Sequence, residues 1–300
     1  MRNKMTCFCT CGNYFEDPPL FCESRCGEFK LSPITETKPL SLFKLELVEG
    51  TIVKRPSAKC KTPYVADVLL KKTNESILGH TPALGCCGLS DKEANVFLSK
   101  IPKKSGSKEQ VCSHRVELGT VIQPLTGEDI YIGLNPKLAE EIVEKCLQIN
   151  AFDEGVLRAP RFKREQTILN SRFDFVGYDS KETPFVLEVK TVPLITQHKH
   201  QRFSYFPDGY RKKKGDPVSP RALKHLNDLI EIAQKSETRA IMCYVLQRSD
   251  TEGFIPSDSD PIYKEKLCEA YRKGVEILIV NVSYSKDGMC SLINYDLFKK

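Results

Sequence analysis

Two acids and a lysine stand out by their spacing. Asp174 lies in Arg172-Phe173-Asp174-Phe175, and fourteen residues later Glu188 opens Glu188-Val189-Lys190. Both lie in short apolar runs of strand character, Ser171 to Tyr178 and Pro184 to Thr191. The polar stretch Asp179 to Thr183 reads as the turn between them. Alternate side chains of a strand share a face, so Glu188 and Lys190 are expected to point the same way. If the two runs pair as a hairpin, Asp174 can join them on that face. Two carboxylates suit a hard cation such as Mg²⁺ or Mn²⁺, and a lysine can orient or deprotonate an attacking water. The same spacing arises by chance in many chains, and a charged turn between strands is ordinarily a solvated edge. Here Phe173, Phe175, Phe185, Val186, Leu187 and Val189 embed the charges in apolar runs, where charge is costly unless paired or metal-bound.

A second constellation is basic. Arg202, Arg211, Lys212, Lys213, Lys214, Arg221, Lys224 and His225 fall between His198 and His225, with Phe203, Tyr205, Phe206 and Tyr210 among them. Basic side chains neutralise phosphates and aromatic rings stack on bases, so the segment is read as a DNA-binding loop. A purely solvating loop has no use for the rings. His198 and His200 are alternative metal ligands. Lys54 and Arg55, at the end of an alternating run, either track nucleic acid or merely solubilise an edge strand. The net charge of +6 is compatible with a nucleic-acid partner and does not identify one.

Thirteen cysteines, an odd number, argue for reduced thiols in an intracellular compartment, cytoplasmic or nuclear. Cys7, Cys9, Cys11, Cys22 and Cys26 crowd together and could hold Zn²⁺ through thiolates, although a C-x₂-C pair is missing; a Cys-rich tail without metal is the alternative. No apolar run is long enough to span a bilayer. The basic start, Met1 to Lys4, is followed by no apolar stretch of the signal-peptide kind.

The elements that must position these groups divide in two. Residues 1–40 lack periodicity and read as a tail. Residues 41–130 carry short strands at Leu45–Val53, Tyr64–Leu70, Ile77–His80, Val96–Leu98 and Val116–Leu125, punctuated by Gly and Pro, which suggests a small OB-like barrel that binds nucleic acid. Residues 131–300 read as an α/β domain. Asn135-Pro136, Ser219-Pro220 and Asp260-Pro261 are helix starts, each with a cap residue followed by proline. Ala240–Leu246 and Val275–Val282 are continuous apolar runs, as buried parallel strands are. Residues 193–219 are expected to be a loop. The order is α-β-β-β-α-β-α-β, and the PD-(D/E)xK nucleases have a similar core, with the acids on its second and third strands.

With these motifs in place, the chain resembles the sugar fermentation stimulation protein A (SfsA) family from about Leu47 to Val282. The resemblance rests on Leu47 to Thr51 with Lys54-Arg55, on Ala66-Asp67-Val68, and on Gly79-His80-Thr81-Pro82. It continues through Arg172 to Phe175, Leu187 to Thr191, Phe206-Pro207-Asp208, Lys224-His225-Leu226 and Gly274-Val275-Glu276. Thr81 to Gly85 and Ser219 to Leu223 depart from the family pattern. The resemblance implies an N-terminal OB-like domain and a C-terminal PD-(D/E)xK nuclease-like domain, a mixed sheet flanked by helices, with DNA bound without sequence specificity. It assigns Asp174 and Glu188 to the metal, with the Val189 carbonyl as a further ligand, Lys190 to the water, and Glu165 to a supporting acid. The expected function is a DNA-binding protein with a metal-dependent, DNA-hydrolysing site. The alternative is a non-enzymatic DNA-binding regulator linked to sugar metabolism that keeps a nuclease fold.

Overall fold

The computed structural model describes residues 27–33, 38–83, 88–102, 111–123, 126–207, 215–235 and 237–300. The five N-terminal cysteines expected as zinc ligands, the Arg211 to Lys214 run and Leu84-Gly85 lie outside them. The fold is mixed α/β and rich in sheet. Strands β1 (Phe29–Lys30) and β2 (Leu40–Lys44) come first. Then come β3 (Val48–Lys54), β4 (Val65–Leu70), β5 (Ser76–His80), β6 (Asn95–Lys100), β7 (His114–Ile122) and β8 (Asp129–Gly133). These are followed by α1 (Pro136–Gln148), β9 (Arg161–Ile168), β10 (Ser171–Tyr178), β11 (Pro184–Val192), β12 (Ile195–His198), β13 (Gln201–Phe206) and α2 (Pro220–Lys235). The chain ends with β14 (Arg239–Leu246), β15 (Gly253–Pro256), α3 (Pro261–Arg272), β16 (Glu276–Tyr284) and β17 (Met289–Phe298).

The helices begin where cap chemistry predicts. Asn135 Oδ1 accepts from Lys137 N–H at 3.1 Å, and Asp260 Oδ1 from Tyr263 N–H at 3.2 Å. Ser219 Oγ accepts from Ala222 N–H at 3.4 Å. Each bond satisfies an amide that the helix itself leaves unpaired.

A seven-stranded sheet has the order β2-β17-β16-β14-β11-β10-β9. β11, β14 and β16 are parallel at its centre, buried on both faces. One face packs on α1 through Leu138, Ile142, Val143 and Phe175. The other packs on α2 and α3 through Leu226, Leu229, Leu267 and Phe173. The N-terminal sheet has the order β5-β4-β3-β6-β7-β8. Among the described residues its two sides meet through a short parallel pairing of β5 with β7, Gly79↔His114 and His80↔Arg115, so the sheet curls without forming a full barrel.

Several boundaries differ from expectation. β1 pairs with β15 and β2 with β17, so part of the expected tail, and Ser41 to Lys44 at the expected start of the N-terminal domain, join strands from the C-terminal half of the sequence. β8 straddles the expected border at residue 130. Its Gly133 N–H is donated to Gln247 O at 2.9 Å, and a Cβ on Gly133 would sit 2.1 Å from Gln247 Oε1. The expected loop from 193 to 219 contains the hairpin β12–β13, which with β15 and β1 makes a separate four-stranded sheet. β17 follows the strand expected to be the last. β12 has only four residues and β17, though ten residues long, mixes polar and apolar positions, so neither shows a clear strand period of its own.

Candidate functional site

Asp174 and Glu188 meet where the β10–β11 ladder ends. The pairing runs from Tyr178↔Pro184 to Phe175↔Leu187 and goes no further. Beyond it, Val189 N–H is donated to the Asp174 carboxylate, Oδ2, at 2.7 Å. β10 turns over at this point. A regular strand would put Phe173 and Phe175 on one face, yet Phe175 lies in the core beneath α1 and Phe173 in the core beneath α2 and α3. On neighbouring β9, Glu165 has φ +51°, a left-handed conformation that costs a side-chain-bearing residue on the order of 1 kcal/mol.

Glu188 and Lys190 share a face, as expected of strand neighbours, and form an ion pair. Glu188 is 2% exposed. Its Oε1 also accepts from His225 Nδ1 of α2, which therefore carries a proton, because a carboxylate oxygen only accepts. Lys190 Nζ lies 3.4 Å from the same ring nitrogen. The other oxygen, Glu188 Oε2, is buried and has no hydrogen-bond partner among the described residues. Burial pushes the Glu188 carboxyl upward, but the charge of Lys190 and the bond from His225 outweigh it and hold it below its usual value. Asp174 goes the other way. Burial, and then the charge of Glu188, push its pKa up to about 7, only partly offset by the Val189 amide and by Lys190. Two carboxylates with opposite shifts, beside one lysine, form the kind of pair that titratable groups make at functional sites.

Other expected residues fall elsewhere. Glu165 is 54% exposed by side chain and pairs with Arg172 at 3.6 Å. Besides Glu188, the acid whose charge reaches Asp174 is Glu140 of α1. It and Glu144 are held by Arg164 of β9 at 2.8 and 2.6 Å. Glu140 and Glu144 lie four apart on a helix face, a spacing that ordinarily signals only a solvated stripe, so the sequence did not single them out. His225, expected to contact DNA, is 3% exposed and serves Glu188 instead. Arg55, also expected to contact DNA, is turned inward with 8% of its side chain exposed and is consumed by protein carbonyls. Arg202 pairs with Asp250 at 2.5 Å, and Asp250 is shared with Arg248. Lys54, Arg221 and Lys224 are exposed, and Lys224 Nζ donates to the Asn170 carbonyl. His198 pairs with Glu28 at 3.1 Å, away from the carboxylates.

A pair of acids can hold a cation only if its free valences fit. Among the described residues, no group of three or more His, Cys, Asp or Glu converges as a ready metal cage. Mg²⁺ does not need one, since it is commonly held by one or two carboxylates while its remaining positions go to water and substrate phosphate. The unpartnered Glu188 Oε2, buried beside Asp174, fits such an ion.

A model of the sugar fermentation stimulation protein RE domain matches residues 134–288. A sugar fermentation stimulation protein homolog of Nitrosococcus oceani is 30% identical over 231 residues, 75% of this chain and 88% of the relative. A homolog from a Picosynechococcus species is 29% identical over 261 residues, 85% of this chain and 93% of the relative. Among solved structures, SfsA of Pyrococcus furiosus in complex with Ca²⁺ is similar in fold. It superposes with a TM-score of 0.66 at 18% identity, covering 85% of this chain and 97% of that one.

Proposed function

The chain belongs to the sugar fermentation stimulation protein family, and from that premise we propose that it binds DNA and hydrolyses its phosphodiesters at a divalent-metal site. One observation carries the reading. A buried carboxylate, Glu188, and a half-buried one, Asp174, stand together where two strands part, and among the described residues nothing satisfies one oxygen of Glu188. A buried, unpaired carboxylate oxygen costs stability, and a cation removes that cost. Asp174 and Glu188 would hold Mg²⁺ or Mn²⁺, which when bound would stabilise the charge developing on the phosphate. Lys190 would orient the attacking water, and His225 would hold Glu188 in place so that its free oxygen faces the cation. The Ca²⁺ in the Pyrococcus furiosus structure is in keeping with a hard-cation site.

The domain from residue 131 onward is read as PD-(D/E)xK-like, on the strand positions of Asp174, Glu188 and Lys190. Strands β3–β8 are read as an OB-like, partly open barrel, supported by the short β5–β7 pairing. DNA would be held without sequence specificity by Lys54, Arg221, Lys224 and the run Arg211 to Lys214, through phosphates.

A second reading is favoured by a specific observation. Glu188 is almost sealed, with Oε1 occupied by both Lys190 and His225. A DNA-binding regulator would keep that cluster as a structural core. Incubating plasmid and branched DNA with the protein in Mg²⁺, Mn²⁺ or EDTA, beside Asp174→Ala, separates the two. Metal-dependent cleavage lost in the variant supports hydrolysis. Binding with no cleavage by the wild type under any of these conditions leaves the regulator.

A further inference from the structure

We propose that the loop joining β3 to β4 is a docking surface for single-stranded DNA, with Tyr64 stacking on an unpaired base and Lys54, Lys59 and Lys61 facing its phosphates. The proposal rests on the DNA-binding reading above and names the form of DNA this surface takes.

The loop is held from within. Arg55 enters the domain and donates to the carbonyls of Pro63 at 3.0 Å and Ala83 at 2.7 Å, and to Ser90 Oγ. Thr81 N–H is donated to Tyr64 O at 2.8 Å, and Thr81 Oγ1 to Pro63 O at 3.3 Å. At the other end, Ser57 N–H reaches Val65 O at 2.8 Å. Ser57 Oγ and Ala58 N–H are donated to the Asp67 carboxylate at 2.5 and 2.9 Å. A buried guanidinium that bridges both edges of a loop makes it a pre-shaped platform, so little ordering entropy is lost on binding.

The platform presents an aromatic face with positive charge. Tyr64 is 41% exposed. Lys54, at the end of β3, and Lys59 and Lys61, on the same loop as Tyr64, are exposed. Two acids stand nearby. Asp67 is engaged by Ser57 and Ala58, and Asp91 lies 3.9 Å from Arg55. With Arg55 counted, cations outnumber anions by four to two. Lysines alone would serve duplex and single strands alike. An exposed ring favours the single strand, because only an unpaired base offers it a free π-face. Exposed rings on small β-barrel domains are used in this way.

The test measures anisotropy of labelled oligo(dT) and of a hairpin duplex of equal length, bound by the full-length protein in EDTA. Wild type should bind the single strand more tightly. Tyr64→Ala should weaken single-strand binding by about tenfold or more and change duplex binding less than about twofold, while Tyr64→Phe keeps single-strand binding. Lys59→Ala with Lys61→Ala should lower the slope of log affinity against log salt by about 1.4 for single strands. If wild type binds neither form, the DNA-binding reading falls, and this proposal with it. If DNA binds but Tyr64→Ala leaves single-strand affinity unchanged, only this surface is overturned. If Tyr64→Ala fails to fold, the double lysine variant decides, and an unchanged slope overturns the proposal.

Discussion

Asp174→Asn tests the electrostatics of the carboxylate pair most directly. Asparagine has the same shape, and its amide oxygen can still accept from Val189 N–H, so the substitution removes charge and little else. In the folded protein the Asp174 pKa stands at about 7, against 3.8 for an ordinary aspartate. Between those values the folded state binds the extra proton and the unfolded state does not. Stability from this group is therefore fully present below about pH 4, falls as pH rises, and is fully lost above about pH 7. The gap corresponds to about 4 kcal/mol as a ceiling. Solvent reaching the partly open side of Asp174 reduces it, and about 2 kcal/mol is the working figure. For a chain of 300 residues that is about 3 °C in Tm. In EDTA, Asp174→Asn should melt above wild type at pH 8, with the difference shrinking toward pH 5. Mn²⁺ at pH 8 should reverse the order, because it stabilises only the protein that keeps both carboxylates. Thermal unfolding followed by circular dichroism reads both effects. A variant less stable than wild type in EDTA at pH 8, or one stabilised equally by Mn²⁺, would refute the reasoning.

Three further outcomes are expected. Lys190→Ala should abolish metal-dependent cleavage while DNA affinity, measured in EDTA, stays within a few-fold; a large loss of affinity would place Lys190 in binding rather than chemistry. Changing Lys212, Lys213 and Lys214 together to Ala should lower the duplex salt slope by about 2.7, and an unchanged slope would mean that the phosphates lie elsewhere. Phe29 is buried against Phe298, Tyr271 and Phe254, with ring centroids at 5.2, 6.0 and 6.1 Å. Phe29→Ala should cost about 3 to 5 kcal/mol in denaturant unfolding, whereas a residue in a loose tail would cost nothing.

Much of this arrangement is local and therefore legible in the chain. Pro136, Pro220 and Pro261, each preceded by a capping residue, mark the starts of α1, α2 and α3, because helix entry depends on a few adjacent groups. Glu188 and Lys190 share a face because strand geometry alone requires it. The limits of β10, Ser171 to Tyr178, also follow from its own apolar pattern. What the tertiary structure decided is everything that depends on distant partners. Only assembly brings His225 to Glu188, thirty-seven residues away, and turns Arg55 from the surface into the domain. Only the parting of β10 from β11 aims Asp174 at the Val189 amide and leaves Glu188 Oε2 unpaired. β1 and β2 find partners more than two hundred residues later in the chain. Sequence patterns report the period of a segment and the chemistry of its ends. They carry no record of which remote group will neutralise a charge, and in a buried site that choice sets which atom remains free to bind.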